Sequence, residues 1–199
     1  MNIIKVEKFT DQDLISKLHN VSLMQNPKIK PYKNTIITLE KININSLSPT
    51  QKYLMNPELE KVKNLYKELK KHDVDLYNLN GYVDIYLEGY NTPISVLPII
   101  VEESIEENGE VHLIVNDGMH RSFYAKQLNI IPQVAYIRGV NTEKYPYYAY
   151  PLENSWNTEF DFLDNIPEGY IKKQYRWENF RFLYRDFNSQ FNNTSGMRK

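Results

Sequence analysis

The sequence predicts an α+β fold, and three observations carry that prediction. Between residues 35 and 138 the apolar patterning runs strand, helix, strand, strand, strand, helix, strand. The segment Asn116-Asp117-Gly118-Met119-His120-Arg121-Ser122 places charged and small residues between an apparent strand and an apparent helix. From Val140 onward the chain turns strongly aromatic. With 199 residues, 41% hydrophobic and 25% charged, the chain has the composition of a globular protein with a real core. The expected organisation is an N-terminal helical extension over 1–34, a mixed and highly twisted sheet with helices over 35–140, and an aromatic, basic C-terminal extension over 141–199 packed on that core.

Each element has its own signal. Leu14, Ile15, Leu18 and Val21 predict a helix from Asp11 to about Gln25, ended by the segment holding Pro27 and Pro31. Residues 35–44 are rich in β-branched side chains and predict a strand, followed by a loop through Ser48, Pro49, Thr50 and Gln51. A second helix is expected from Pro57 to about Lys71, with Asn56 as N-cap, Pro57 in the first position and Glu58 and Glu60 at the positive end of the dipole. Its stripe of Val62, Leu65, Tyr66 and Leu69 reads as core-facing. Residues 82–87 and 95–101 predict strands, the latter at an edge or bulge because of Pro98. Asn108-Gly109 reads as the tip of a hairpin joining 99–101 to 111–115, and Glu102, Glu103, Glu106, Glu107 and Glu110 around it read as a solvated acidic loop. The helix starting near Ser122 is expected to end at Asn129 in the left-handed conformation, before a strand over residues 133–138.

The tail admits two uses. Its rings interleave with Lys172, Lys173, Arg176, Arg181, Arg185, Arg198 and Lys199, a pattern that suits single-stranded nucleic acid. The rings of Phe180, Tyr184 and Phe187 also recur with Leu183 at near-helical spacing, which suits packing on the sheet or a homodimer contact. A formal net charge of −1 argues against a dedicated nucleic-acid binder. The absence of cysteine excludes disulfides, thiolate nucleophiles and Cys-based zinc sites. The first residues lack an apolar signal core, and no apolar run approaches the roughly 18 residues of a membrane span. A cytoplasmic protein without a membrane partner is therefore expected.

The chemistry concentrates between Asn116 and Ser122. The leading N–H groups of a helix have no internal partners and the dipole favours negative charge there, so phosphate is the natural ligand. Gly118 lets backbone approach a ligand or permits a tight turn. Asp117 has two uses, capping the helix or binding a magnesium ion that bridges phosphates. His120 can donate to a phosphate or move a proton. Arg121 opposes the helix dipole, so either Asp117 or a bound anion must compensate it. Ser122 adds an N–H and a hydroxyl at the same end.

The stretch 109–121, followed by an Ala-containing helix and a Pro-preceded strand, resembles the motif region of the ParB and sulfiredoxin superfamily, whose members carry turns such as G-E-R-R, G-G-C-H-R or D-G-H-x-R. The resemblance covers roughly residues 35–140 and implies a ParB/sulfiredoxin-like mixed sheet. Met119 stands where sulfiredoxin has its cysteine, which removes that chemistry. Partition ParB proteins bind CTP at this turn and continue into a helix-turn-helix module, where this chain has its aromatic tail. Nearest in motif are the free serine kinases, with a D-G-H-type turn and a Pro-Thr-Glu loop after the first strand. Here that loop reads Pro49-Thr50-Gln51, and an amide cannot take a proton from a hydroxyl. The resemblance thus implies ATP, ADP or CTP with magnesium, held by Asn116, Gly118, Met119, His120, Arg121 and Ser122, with Asp117 as metal ligand. It also implies phosphotransfer to a small hydroxyl substrate involving Asp117, His120, Arg121 and Gln51, with Glu102, Glu103 and Asp84 as candidate bases. The alternative is a regulatory module that binds a nucleotide without catalysis, associated or not with nucleic acid.

Overall fold

The computed structural model describes residues 1–193, so Arg198 and Lys199 of the tail lie outside the described residues. The chain opens with a strand, not a helical extension: β1 (Ile3–Thr10) runs into α1 (Asp11–His19). A capping box makes that junction, with Asp13 N–H donating to Thr10 Oγ1 at 3.1 Å and Thr10 N–H to the Asp13 carboxylate at 2.9 Å. The helix stops at His19 instead of continuing to Gln25. Val21 and Leu23 are buried as expected, but in a turn and in β2 (Ser22–Leu23). β3 (Ile36–Lys41) follows, then β4 (Tyr53–Met55) leading directly into α2 (Asn56–Lys70). Because that strand enters the helix without a break, Met55 occupies the N-cap position, and the Asn56 amide donates to Asp164 instead of capping.

Next come β5 (Gly81–Leu87), β6 (Ile94–Val96), β7 (Ile99–Ile105), β8 (Val111–Asp117), α3 (Met119–Gln127) and β9 (Gln133–Arg138). Residues 95–101 form two strands where the sequence suggested one. Pro98 has no N–H to continue a ladder, and the chain uses the break to pass from one sheet to another. The first sheet is antiparallel, in the order β1-β5-β6. The second is mixed, in the order β3-β9-β7-β8, with β7 and β9 parallel and the other pairs antiparallel. The β7-β8 hairpin turns at Asn108-Gly109 as expected, and Asn129 ends α3 with a φ of 54°.

The 141–193 segment is woven into this frame. β10 (Asp161–Leu163) pairs parallel with β4, and β11 (Arg185–Asp186) pairs antiparallel with β2. The Phe180 to Phe187 stretch forms short 3-10 turns around Leu183 and Phe187 rather than the helix its spacing suggested. Tyr147, Tyr148, Leu183 and Tyr184 bury themselves with Ile114, so these rings cover the sheet. Phe187 and Phe191 join the core under α1. No helix among the described residues is long and apolar enough to cross a membrane.

The acidic hairpin is not the solvated loop its composition suggests. Glu102 is fully buried and receives the forked guanidinium of Arg185, also fully buried. The same carboxylate accepts the Tyr32 hydroxyl at 2.7 Å and the Asn116 amide at 2.9 Å. The rest of the Arg185 fork is taken by the carbonyls of Tyr145, Pro146 and Leu183. Glu106 pairs with both arms of Arg176 at 2.7 Å, and Glu103 accepts the Tyr136 hydroxyl. Tail cations therefore dock on hairpin carboxylates. Removing one partner of a buried, hydrogen-bonded pair strands the other charge, at a cost of about 3–5 kcal/mol. Arg185→Met is expected to lose that much in urea unfolding, while Arg185→Met combined with Glu102→Met recovers part of it, the coupling being read from the double-mutant cycle.

Candidate functional site

β8 leaves the mixed sheet at Asp117, and Gly118 turns the chain into α3 with φ 99° and ψ 27°, the left-handed region. A Cβ there would sit 3.0 Å from Arg121 Nη2 and 3.2 Å from the Ile99 side chain, so glycine is required both by conformation and by space. Asp117 does not cap the helix. Its Oδ2 accepts from Arg121 Nη2 at 2.6 Å across one turn, while Arg121 Nη1 donates to the Leu97 carbonyl freed at the Pro98 break. The cation at the helix start is thus compensated by Asp117, and α3 begins with no side-chain cap on its leading N–H groups.

His120 joins two helices. Its Nε2 accepts the backbone N–H of Met55 at 2.9 Å, which ties the start of α3 to the start of α2. A ring nitrogen that accepts is unprotonated, so the proton sits on Nδ1, and the imidazole is a donor rather than a base. Burial holds His120 below its ordinary value, which keeps it neutral. Asn116 lines the cleft, but its amide nitrogen is committed to Tyr32 and Glu102. Ser122 is fully buried in the first turn of α3, with its hydroxyl unpartnered and away from the cleft lining.

In front of the turn lies a cleft of about 790 Å³, lined by Asn116, Asp117, Gly118, Met119, His120 and Arg121 on one side and by Gln51, Tyr53 and Met55 on another. Gln51 reaches it because its loop is strapped along β8, with Ser48 N–H donating to Leu113 O and Val115 N–H to Ser48 O. Its amide donates to the Tyr53 carbonyl. The first turns of α2 supply Glu58, Lys61, Val62 and Leu65, so part of the stripe read as core-facing forms a cleft wall. The tail supplies Lys172, Lys173, Tyr148, Tyr175 and Tyr184.

These α2 and tail residues were the ones that sequence reasoning missed as site members. Glu58 reads locally as a helix-dipole residue, and tertiary contacts between α2 and α3, such as Met55 with His120 and Tyr66 with Tyr124, place it beside the turn. Glu58 and Asp117 are the cleft's carboxylates among the described residues, and each is paired, Glu58 with Lys61 at 2.6 Å. Glu102 and Asp84 are buried elsewhere in hydrogen-bonded pairs and Glu103 serves Tyr136, so none of these three candidate bases lines the cleft. Among the described residues no three His, Asp or Glu side chains converge to hold a metal ion unaided.

The His120 contact has a pH signature. The unfolded chain takes a proton on this ring at about pH 6.5, whereas the folded chain takes it only at lower pH. Its contribution to stability is therefore complete above about pH 6.5 and is lost as the pH falls toward the depressed folded value. Urea unfolding between pH 7.5 and 5 is expected to show this slope, and His120→Gln, which keeps an acceptor but does not titrate, should flatten it.

No curated protein and no solved structure matches the chain significantly. One family does: the ParB CE domain matches residues 13–159, from within α1 through the mixed sheet, the Gly118 turn and the first part of the tail, leaving out β1. On that match, which spans well over half of its length and includes the Gly118 turn with the Gln51 and α2 walls of the cleft, this chain belongs to the ParB CE domain family.

Proposed function

We propose that the cleft binds a nucleotide or another phosphate ester, with its phosphoryl group seated on the Gly118 turn. The observation that carries this reading is a left-handed glycine and an uncapped helix start together at the wall of a cleft large enough for such a ligand. Gly118 lets the oxygens of a phosphoryl group come close to the backbone, and the leading N–H groups of α3 donate to them. The neutral His120 adds a donor at Nδ1. Arg121 acts on the protein, bracing the turn through Asp117 and the Leu97 carbonyl, and the positive potential at this spot comes from the helix start.

ATP, ADP and CTP are the nucleotides this reading admits. A magnesium ion fits as a companion of bound phosphates, since such ions are usually held by one or two carboxylates plus phosphate oxygens and waters. Asp117 is the residue that would hold it, and the ion would neutralise charge on the phosphates. The tail's Arg176 and Arg185 are spent on Glu106 and Glu102, which favours a small phosphate ester over a single nucleic-acid strand.

Phosphotransfer, as in the free serine kinase branch, is the second reading, and Glu58 favours it. This carboxylate lines the cleft where Gln51 offers only an amide, so Glu58 would take the proton of a hydroxyl acceptor after leaving Lys61.

Differential scanning fluorimetry with ATP, ADP and CTP, with and without magnesium, tests the binding reading. Saturation at about 100 times Kd should stabilise the protein by about 2.7 kcal/mol. Gly118→Ala is expected to cost about 1–3 kcal/mol from backbone strain and to abolish the ligand-induced shift, with circular dichroism confirming that it folds. A wild-type protein that shifts with no nucleotide and no phosphate ester would overturn the reading. Incubation with labelled ATP and a pool of small hydroxyl compounds separates the second reading: product that disappears in Glu58→Gln supports transfer, and background hydrolysis alone leaves a binding module.

A further inference from the structure

The charges of the cleft are divided unevenly. Lys61 is neutralised by Glu58 and Arg121 by Asp117, each at 2.6 Å, so the half of the cleft built from α2 and the Gly118 turn carries no surplus side-chain charge. The tail half differs. Lys172 is half-buried on the cleft wall and has no hydrogen bond or ion pair with any described residue. Beside it, Lys173 Nζ donates to Thr50 Oγ1 at 2.9 Å and to the Tyr148 hydroxyl at 3.0 Å, two neutral oxygens that fix its position. Tyr53 joins them in the lining, and burial pushes its hydroxyl up, which keeps it a donor. Partial burial of the Lys172 ammonium without a counter-charge among the described residues is unfavourable, and an anion that arrives with the ligand relieves it.

We infer that the Lys172 end is a second anion subsite, so that the natural ligand of this cleft carries two separated anionic groups, one on the Gly118 turn and one against Lys172. This rests on the phosphate-ester reading of the turn. The shared chemistry at the second subsite is an oxyanion, which a carboxylate or a second phosphate supplies equally well. Neither α2 nor α3 provides this subsite; it exists because residues 172–173 are carried over the cleft by the tail.

Isothermal titration calorimetry on the full chain, at fixed pH and salt, tests it with three probes: glycerol 3-phosphate with one anionic group, 3-phosphoglycerate with an added carboxylate, and a bisphosphate such as fructose 1,6-bisphosphate. At least one of the two-anion probes should bind about tenfold or more tightly than glycerol 3-phosphate, as a charge-assisted contact is expected to give, and whichever does identifies the second group. Lys172→Met should weaken that probe about tenfold more than it weakens glycerol 3-phosphate, and Lys172→Arg should restore the preference. Equal affinities for all three probes in the wild type, or a Lys172→Met loss shared equally among them, would overturn the second subsite while leaving the turn reading intact. Binding of none of them, nor of any nucleotide, would overturn both.

Discussion

The structure depends on the buried cluster of Glu102, Arg185, Tyr32 and Asn116. Each member comes from a different part of the chain: Glu102 from β7, Asn116 from β8, Tyr32 from the loop before β3, and Arg185 from the tail. A full charge with no solvent exposure is tolerable only when its hydrogen-bonding capacity is met inside the protein. Arg185 satisfies that condition with two carboxylate contacts and three carbonyls, and Glu102 with four hydrogen bonds from three residues. Because none of these groups has water as an alternative, the cluster sets one register between tail and sheet. Burial and the neighbouring Glu102 charge also push Tyr32 well above its ordinary value, so it remains a donor to the carboxylate throughout the working pH range.

That constraint reaches the site through the covalent chain. Asn116 is the residue before Asp117, so fixing its side chain fixes where β8 ends and where Gly118 begins the turn. On the other flank, Pro98 interrupts the strand between the two sheets and leaves the Leu97 carbonyl to be taken by Arg121. The turn is thus held from both ends by groups that also hold the sheets together. Preorganisation of this kind lowers the cost of ordering a binding site when a ligand arrives. Arg121 accordingly does more for the shape of the turn than a freely swinging cation would.

How much of this was legible in the sequence follows from which interactions are local. The β7-β8 hairpin, β9, α2 and the left-handed Asn129 all answer to short-range signals, and all stand where those signals place them. The resemblance to ParB proteins extends to the domain as a whole, since the family match covers 13–159. What the sequence concealed is tertiary. β1 carries only a weak alternation, and it becomes a strand because β5 offers it a partner. Glu102 and Arg185 looked like surface charges because nothing local distinguishes a carboxylate that will meet a guanidinium 83 positions away. Glu58 looked like a dipole residue because its place beside the turn comes from tertiary packing of α2 on α3, the Tyr66–Tyr124 ring contact and the Met55–His120 bond among them. The capping box Thr10-Asp11-Gln12-Asp13 was the one missed signal that the sequence did contain, and it marks where β1 gives way to α1.

The division of charge in the cleft follows from the same architecture. The cleft's carboxylates and their cations lie close in sequence, at i,i+3 within α2 for Glu58 and Lys61 and at i,i+4 across the Gly118 turn for Asp117 at the end of β8 and Arg121 in α3, so each finds a local partner. Local pairing therefore meets the charges that these helix starts bring to the cleft, and what attracts an anion to the turn is backbone: the leading N–H groups and the helix dipole. Lysines of the tail have no helix to pair on. Arg176 and Arg185 anchor the segments around them to Glu106 and Glu102, and Lys172 delivered in that way arrives without a counter-charge among the described residues. A protein that spends two carboxylates of its hairpin on docking the tail thereby lets acidic residues outside the cleft lining bring cationic character into it. The pairs that looked like a solvated acidic loop and a basic tail are, in the folded chain, the means by which the tail becomes a wall of the site.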